Sequence, residues 1–222
     1  MLRGGHGVKK YDTVLFDLDG TLTNPEAGLV EGFVYAFKRL GIDYGERAAL
    51  KRFIGPPLFS EWQREFGFTP KQSREAIRLL REYYDVFGWW DNKVYEGITE
   101  LLSGLIKKGK TLAVATSKPE RTAKRVLSLF CLDKYFTFVG GASGGERRDK
   151  KSEVIEYVLE SLGVKNRSGC VLIGDRIYDA MGAREAGLDS IGVLWGHGSA
   201  EELLSAGFSQ IVKTPSELLS LL

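Results

Sequence analysis

The stretch Val14-Leu15-Phe16-Asp17-Leu18-Asp19-Gly20-Thr21 decides the fold. An apolar run of strand length ends in two aspartates two residues apart, with no basic residue beside them. Side chains along a strand alternate faces, so residues i and i+2 point the same way and the two carboxylates sit together. Like charges that close repel, and something must neutralise them.

Working outward, short apolar runs alternate with helix-period segments. Thr13 to Phe16, Thr111 to Ala115, Phe136 to Val139, Cys170 to Ile173, Ser190 to Leu194 and Gln210 to Val212 read as strands. Glu120 to Phe130, Ser152 to Leu162, Tyr178 to Ala186, Glu201 to Ser205 and Ser216 to Leu222 read as helices, with Gly163, Gly187 and Gly207 as C-terminal stops. This alternation implies an α/β fold, a Rossmann-like doubly wound parallel sheet with helices on both faces. Between the first strand and the rest lies a segment of different texture, Asn24 to Asn92. Glu26 to Leu40, Pro57 to Phe66 and Lys71 to Phe87 read as helices within it, the last opening on a Thr69 cap and Pro70. It holds 14 of the 25 aromatic residues, as a small bundle needs to bury enough area. The expected organisation is a catalytic core of residues 10–23 and 93–222 and an all-helical cap of residues 24–92.

Composition limits the alternatives. With 222 residues and 43% hydrophobic content, the chain can bury a sizeable core. A net charge of +2 gives no electrostatic case for nucleic acid or an acidic membrane. No apolar run approaches the roughly 18 residues of a membrane span, and Met1 to Lys10 lacks the apolar stretch of a leader. A cytoplasmic protein, monomeric or a small homo-oligomer, is the expectation. Cys131 and Cys170 are too few for a disulfide framework and read as small buried hydrophobes.

In an open parallel sheet, ligands bind beyond the carboxyl ends of the strands. There the sequence sets Asp17, Asp19, Gly20 and Thr21; then Thr116, Ser117 and Lys118; then the loop Gly140 to Lys151, rich in glycine and basic residues; and finally Gly174, Asp175, Arg176 and Asp179. Three carboxylates with no histidine or cysteine nearby suit magnesium, which also answers the repulsion between the aspartates. Such an ion, with Thr116 and a lysine as donors, could neutralise a phosphoryl group while one aspartate attacks and the other trades protons. Each piece also has a plainer reading. Asp-Gly after a strand is a common turn, Thr116-Ser117 and Asp175 could cap helices, and Arg147, Arg148, Lys150 and Lys151 could form an exposed charged face. These readings are independent of one another, and their joint occurrence in this order is improbable.

On these residues the chain resembles the haloacid dehalogenase superfamily of phosphohydrolases, from Lys10 to the end. Asp17-Leu18-Asp19-Gly20-Thr21 fits the first motif, Thr116 the second, a lysine before the helix at Ser152 the third, and Gly174-Asp175 with Asp179 the fourth. The resemblance implies Asp17 as the nucleophile that forms an aspartyl-phosphate, and Asp19 as general acid and then base. It implies Mg2+ held by Asp17, the Asp19 carbonyl and Asp175, with Asp179 orienting the lysine or supporting the metal. Thr116 would donate to the phosphoryl group, with Gly20, Thr21 and Ser117 beside it. Lys151 is chosen over Lys150 because Lys151-Ser152-Glu153-Val154-Ile155 reproduces a Lys-x-Glu-Val-Ile pattern of related phosphatases; Arg148 falls near the site entrance.

Asp19 argues against the haloacid dehalogenases proper and the phosphonoacetaldehyde hydrolases, whereas Thr21 counts only weakly against the sugar-phosphate mutases. Phe53 to Leu58, Gly174 to Arg176 and Gly192 to Gly196 look most like the phosphoglycolate phosphatase group and its 5'-nucleotidase relatives. The implied substrate is a small phosphorylated metabolite, phosphoglycolate-like first. Gly55 would sit in the specificity loop and Arg52 would meet a second anionic group, unless Gly55-Pro56-Pro57 only starts a helix. Gly88 and Glu96-Gly97 are candidate hinges. A phospho-acceptor regulatory domain also has an acidic pair after its first strand, but lacks the long helical insertion and carries its acceptor at a later strand.

Overall fold

The computed structural model describes residues 11–143, 148 and 150–222. Met1 to Lys10, Arg147 and most of the glycine-rich loop before Lys151 lie outside the described residues. In chain order the elements are β1 (Thr13–Phe16), β2 (Thr23–Asn24), α1 (Glu26–Leu40), α2 (Leu58–Phe66), α3 (Pro70–Tyr83), β3 (Lys93–Val94), α4 (Ile98–Lys107), β4 (Thr111–Pro119), α5 (Glu120–Leu129), β5 (Phe138–Ala142), α6 (Lys151–Ser161), β6 (Cys170–Gly174), α7 (Ile177–Glu185), β7 (Asp189–Val193), α8 (Ala200–Ala206), β8 (Gln210–Val212) and α9 (Pro215–Leu221). A 3-10 helix spans Arg47–Phe53 and a π-helical turn spans Tyr84–Gly88.

Six strands form one parallel sheet in the order β5-β4-β1-β6-β7-β8. The order reverses at β1, because the chain first builds outward through β4 and β5 and then returns to the other side. Phe16 lies level with Val114 on one side and Ile173 on the other. The residues that follow β1, β4 and β6 therefore emerge together at the reversal point, where such sheets open a crevice.

The alternation of β1 builds both core layers. Val14 and Phe16 pack with Ile98, Leu101 and Leu105 of α4, Val126 of α5 and Leu218 of α9. Leu15, with Ala113 and Ala115 of β4, faces Val154, Ile155 and Val158 of α6 and Ala183 of α7. At roughly 25 cal/mol per Å2 of apolar surface removed from water, these fully buried side chains dominate the stability of the sheet.

The segment between β2 and β3 has a separate apolar cluster. Phe33 and Phe37 of α1 surround Trp62 of α2, with Phe37 and Trp62 ring centroids 5.1 Å apart, and Leu79 and Leu80 of α3 close the cluster. Thr69 caps α3 by accepting from the Gln72 amide, and Gln72 returns the bond to the Thr69 amide. The segment's two ends pair with each other, Thr23 with Val94 and Asn24 with Lys93.

Several expectations change. The helix read over Lys71 to Phe87 stops at Tyr83, and the chain passes into the π-helical turn, closed by the Trp89 amide donating to the Tyr84 carbonyl. The strand read over Phe136 to Val139 runs instead from Phe138 to Ala142, taking in Gly140 and Gly141. At Gly141 a Cβ would come within 2.6 Å of the Glu120 Cα, so the close approach of α5 requires glycine there. Cys170 is buried as expected, but Cys131 is exposed. Cys131 has φ of 53°, the left-handed bend that ends α5. Helix α4 and the β2–β3 pair were not foreseen. No helix among the described residues is long and apolar enough to cross a membrane.

Candidate active site

At the carboxyl end of β1, the Asp17 amide donates to the Ile173 carbonyl at 2.9 Å, which fixes the start of the first loop against β6. Gly20 then turns with φ of 86°, and its amide donates to the Thr23 carbonyl. A Cβ on Gly20 would lie 2.5 Å from Asp175 Cγ, so glycine is what lets the first and fourth strand-end loops touch. The buried Thr21 hydroxyl donates to Asp175 Oδ1 at 3.4 Å, and the Trp195 indole holds the Thr21 carbonyl at 2.9 Å.

Asp17, Asp175 and Asp179 each present a carboxylate oxygen within 4.8 Å of the others. Lys151, at the start of α6, enters this group: its ammonium lies 2.8 Å from Asp17 Oδ1 and 2.7 Å from Asp179 Oδ1. The adjacent Lys150 is exposed, and its amide takes part in the capping of α6 by donating to Glu153. Asp179 does two things at once, since its other oxygen accepts from the Arg176 amide and caps α7. Burial pushes the Asp175 carboxyl well above the usual range, reinforced by Asp179 and Asp17, and only partly opposed by the His197 amide that donates to it at 2.8 Å. Asp179 is raised by burial as well, against the pull of Lys151. Lys151 is itself buried, which disfavours its charge, yet Asp17 and Asp179 more than compensate and its pKa rises. Three carboxyl groups and one ammonium thus crowd a largely buried site in which ionising all three acids is costly. An all-oxygen donor set of this kind fits a hard divalent cation.

Thr116 is buried beside β1, and its hydroxyl accepts from the Lys118 amide at 3.2 Å. Ser117, between them, is exposed. Lys118, which the sequence places at this strand end without a role, enters the site as well. Its ammonium lies 2.6 Å from Asp19 Oδ2 and 2.9 Å from the Tyr84 hydroxyl. Burial works against its charge, but Asp19 and then Tyr84 outweigh that and raise its pKa. Because β4 continues past Ala115, Thr116 and Lys118 share a buried face while Ser117 between them points out. His197 was not foreseen. It follows β7, its amide holds Asp175, and burial lowers its pKa despite Asp19 nearby.

Three expected contacts lie outside this group. Arg148 donates to the Gly141 carbonyl at 2.9 Å and to Glu120 at 3.2 Å, and stacks 3.7 Å from the Tyr157 ring centroid. It thus ties β5, α5 and α6 together. Arg52 pairs with Glu65 and lies 5.0 Å from the Phe53 ring centroid. Gly55, with φ of 101°, turns against Arg176, whose guanidinium donates to the Ile54 carbonyl and to Glu202. Arg52, Arg176, Glu61, Glu65 and Tyr178 line a pocket of about 190 Å3 between the helical insertion and the sheet domain.

Known proteins share this plan. The family model of haloacid dehalogenase-like hydrolases matches residues 14–193. A 5'-nucleotidase of Pseudomonas aeruginosa is 41% identical over 194 residues, covering 87% of each chain. The tyrosine-protein kinase PtkA of Mycobacterium tuberculosis is 38% identical over 188 residues, 85% of this chain but 64% of that one. The crystal structure of a predicted phosphatase from Clostridium acetobutylicum superimposes with a TM-score of 0.90 at 40% identity, over 95% of this chain and 97% of that one. By the extent of the family match and of these identities, the chain belongs to the haloacid dehalogenase-like hydrolases, among their phosphatases.

Proposed function

We propose that this phosphatase hydrolyses small phosphomonoesters with the help of magnesium, through an aspartyl-phosphate on Asp17. The observation that carries the reading is the gathering of Asp17, Asp175 and Asp179 around Lys151, with Asp19 two residues beyond the nucleophile. Magnesium held by the three carboxylates and the Asp19 carbonyl would supply positive charge to the phosphoryl oxygens. The Asp17 carboxylate attacks phosphorus as the bond to the leaving oxygen breaks, and Asp19 gives its proton to that oxygen. Water then attacks the phosphorus of the aspartyl-phosphate, Asp19 takes back a proton, and the bond between phosphorus and the Asp17 oxygen breaks to release phosphate. Lys151 and Thr116 donate to the phosphoryl oxygens throughout, where a fixed donor counts most.

For the leaving group, the sequence resemblance favours a phosphoglycolate-like substrate, with Arg52 facing a second anion. The pairing of Arg52 with Glu65 weakens its case as the partner of a second anion, and the 41% identity to a 5'-nucleotidase favours a 5'-nucleotide. Both are phosphomonoesters, and the chemistry at Asp17 is common to them. The first test is magnesium-dependent turnover of p-nitrophenyl phosphate with no nucleoside triphosphate present. Turnover is expected to vanish in Asp17→Asn; release without metal, or a single stoichiometric burst of phosphate, would refute the proposal. Kinetics across phosphoglycolate, 5'-nucleotides and sugar phosphates then rank the substrates, and a spread below about tenfold, some 1.4 kcal/mol, would describe a broad phosphatase instead.

A further inference from the structure

One buried lysine joins Asp19 to the helical insertion. The Lys118 side chain is 4% exposed, its ammonium lies 2.6 Å from Asp19 Oδ2 and 2.9 Å from the Tyr84 hydroxyl, and it sits 4.6 Å from the Tyr84 ring centroid. Tyr84 opens the π-helical turn, and the same turn is fastened to α5 of the sheet domain. There Thr122 donates to Asp85 Oδ1 at 3.3 Å, Arg125 donates to the Asp85 carbonyl at 3.0 Å, and the Arg125 guanidinium lies 4.0 Å from the Trp89 ring centroid. A π turn inserts an extra residue and re-aims what it carries, and such turns gather at functional sites. Lys118 also separates the two oxygens of Asp19. Oδ2 is held, whereas Oδ1 is buried with no hydrogen-bond partner among the described residues.

We propose that Tyr84 and Lys118 are positioning residues: Tyr84 fixes Lys118, Lys118 fixes the Asp19 carboxylate, and Asp19 is set for proton transfer only while the helical insertion is seated on α5. The inference rests on the reading of Asp19 as the proton donor to the leaving group. Holding a reacting group within a fraction of an ångström matters, since a misplacement of about 1 Å costs on the order of a hundredfold in rate. Lys118 supplies that hold from the sheet domain, and Tyr84 makes it depend on the insertion.

The test uses leaving groups of different basicity. Glycerol 2-phosphate leaves as an alkoxide that needs a proton; p-nitrophenolate leaves without one. The ratio kcat/KM reports only the steps through formation of the aspartyl-phosphate, so it isolates this protonation from the later hydrolysis. Lys118→Met is expected to lower kcat/KM for glycerol 2-phosphate by about a hundredfold and Tyr84→Phe by about tenfold, with p-nitrophenyl phosphate changed by no more than about twofold. Lys118→Arg should restore part of the loss, and Tyr84→Phe with Lys118→Met should be no worse than Lys118→Met alone. Tyr84→Phe keeps the ring, so it remains informative where Lys118→Met fails to fold. Asp19→Asn separates the two ideas. If it loses the alkyl substrate selectively while Tyr84→Phe and Lys118→Met lower both substrates equally, or neither, the positioning roles are refuted and Asp19 stands. If Asp19→Asn itself lowers both substrates equally, Asp19 is not the acid and the inference falls with it.

Discussion

Gly182, inside α7, sets helix propensity against one steric overlap, and replacing it with alanine shows which wins. Alanine in a helix interior is favoured over glycine by about 0.5–1 kcal/mol. In this structure, however, the added Cβ would lie 2.6 Å from Lys151 Cγ and 2.7 Å from Lys151 Cβ, and 3.2 Å from the Ser152 amide nitrogen. Overpacking of that kind costs about 1–3 kcal/mol, so the net effect is a destabilisation of about 1 kcal/mol. For a chain of this size that is a fall of about 2–4 °C in melting temperature. The effect on activity should be larger. The atoms displaced are the stem of the ammonium that sits 2.8 Å from Asp17 and 2.7 Å from Asp179. A shift of that ammonium by several tenths of an ångström is expected to lower kcat by about ten- to a hundredfold. Thermal denaturation and steady-state hydrolysis of p-nitrophenyl phosphate, measured on one preparation, read the two effects. A melting temperature that rises, together with unchanged kcat, would show that the α6–α7 contact yields freely and that the argument from the overlap is wrong.

Other outcomes follow from the same geometry. Gly20→Ala combines a left-handed backbone, about 1–2 kcal/mol, with a Cβ 2.5 Å from Asp175 Cγ, about 1–3 kcal/mol more, so urea unfolding should show a loss of about 2–5 kcal/mol; a loss below about 1 kcal/mol refutes it. Magnesium at about a hundred times its dissociation constant should stabilise the fold by about 2.7 kcal/mol, seen as a melting temperature that chelation reverses, and Asp175→Asn should abolish the gain. The Tyr11 phenol is pushed up to about 12 by burial and by its hydrogen bond to Asp189. The folded chain therefore keeps a proton that the unfolded chain releases near pH 10, and stability falls as pH rises from about 10 to about 12. Tyr11→Phe should make that alkaline fall shallower in a pH series of melting curves; an unchanged slope counts against the assignment.

What the sequence revealed and what it hid have physical causes. Thr13 to Phe16 and Gln210 to Val212 carry enough apolar side chains for their pattern to be visible, and both strands have the expected limits. The parallel sheet follows from the alternation around them. Strands β2 and β3 are two residues each, too short for any period, and their pairing joins residues about seventy positions apart. The break in the long third helix was hidden because a π-helical turn continues the coil of the backbone and changes only the hydrogen-bond pattern, which residue type does not record. Cys131 illustrates the opposite error, since apolar neighbours suggested burial while the turn after α5 put it outside. At the site, Asp17 and Asp19 stood out because nothing basic lies beside them in sequence. Lys118 stood at the same edge, but its pairing with Asp19 was not legible, because the strand reads as ending at Ala115 although β4 runs on to Pro119.

The pairing of Thr23 with Val94 and of Asn24 with Lys93 also bears on how such a chain can change over time. Closing a loop costs entropy that grows slowly with its length, and here the departing and returning backbones are clasped where they leave the sheet domain. To β1 and α4, the whole helical insertion therefore presents the same two neighbouring ends as a tight hairpin. Helices can be lengthened, exchanged or replaced beyond that clasp without altering the register of the six strands. The helical insertion is free to diversify, and the sheet edge that carries Asp17, Thr116 and Asp175 is spared the consequences.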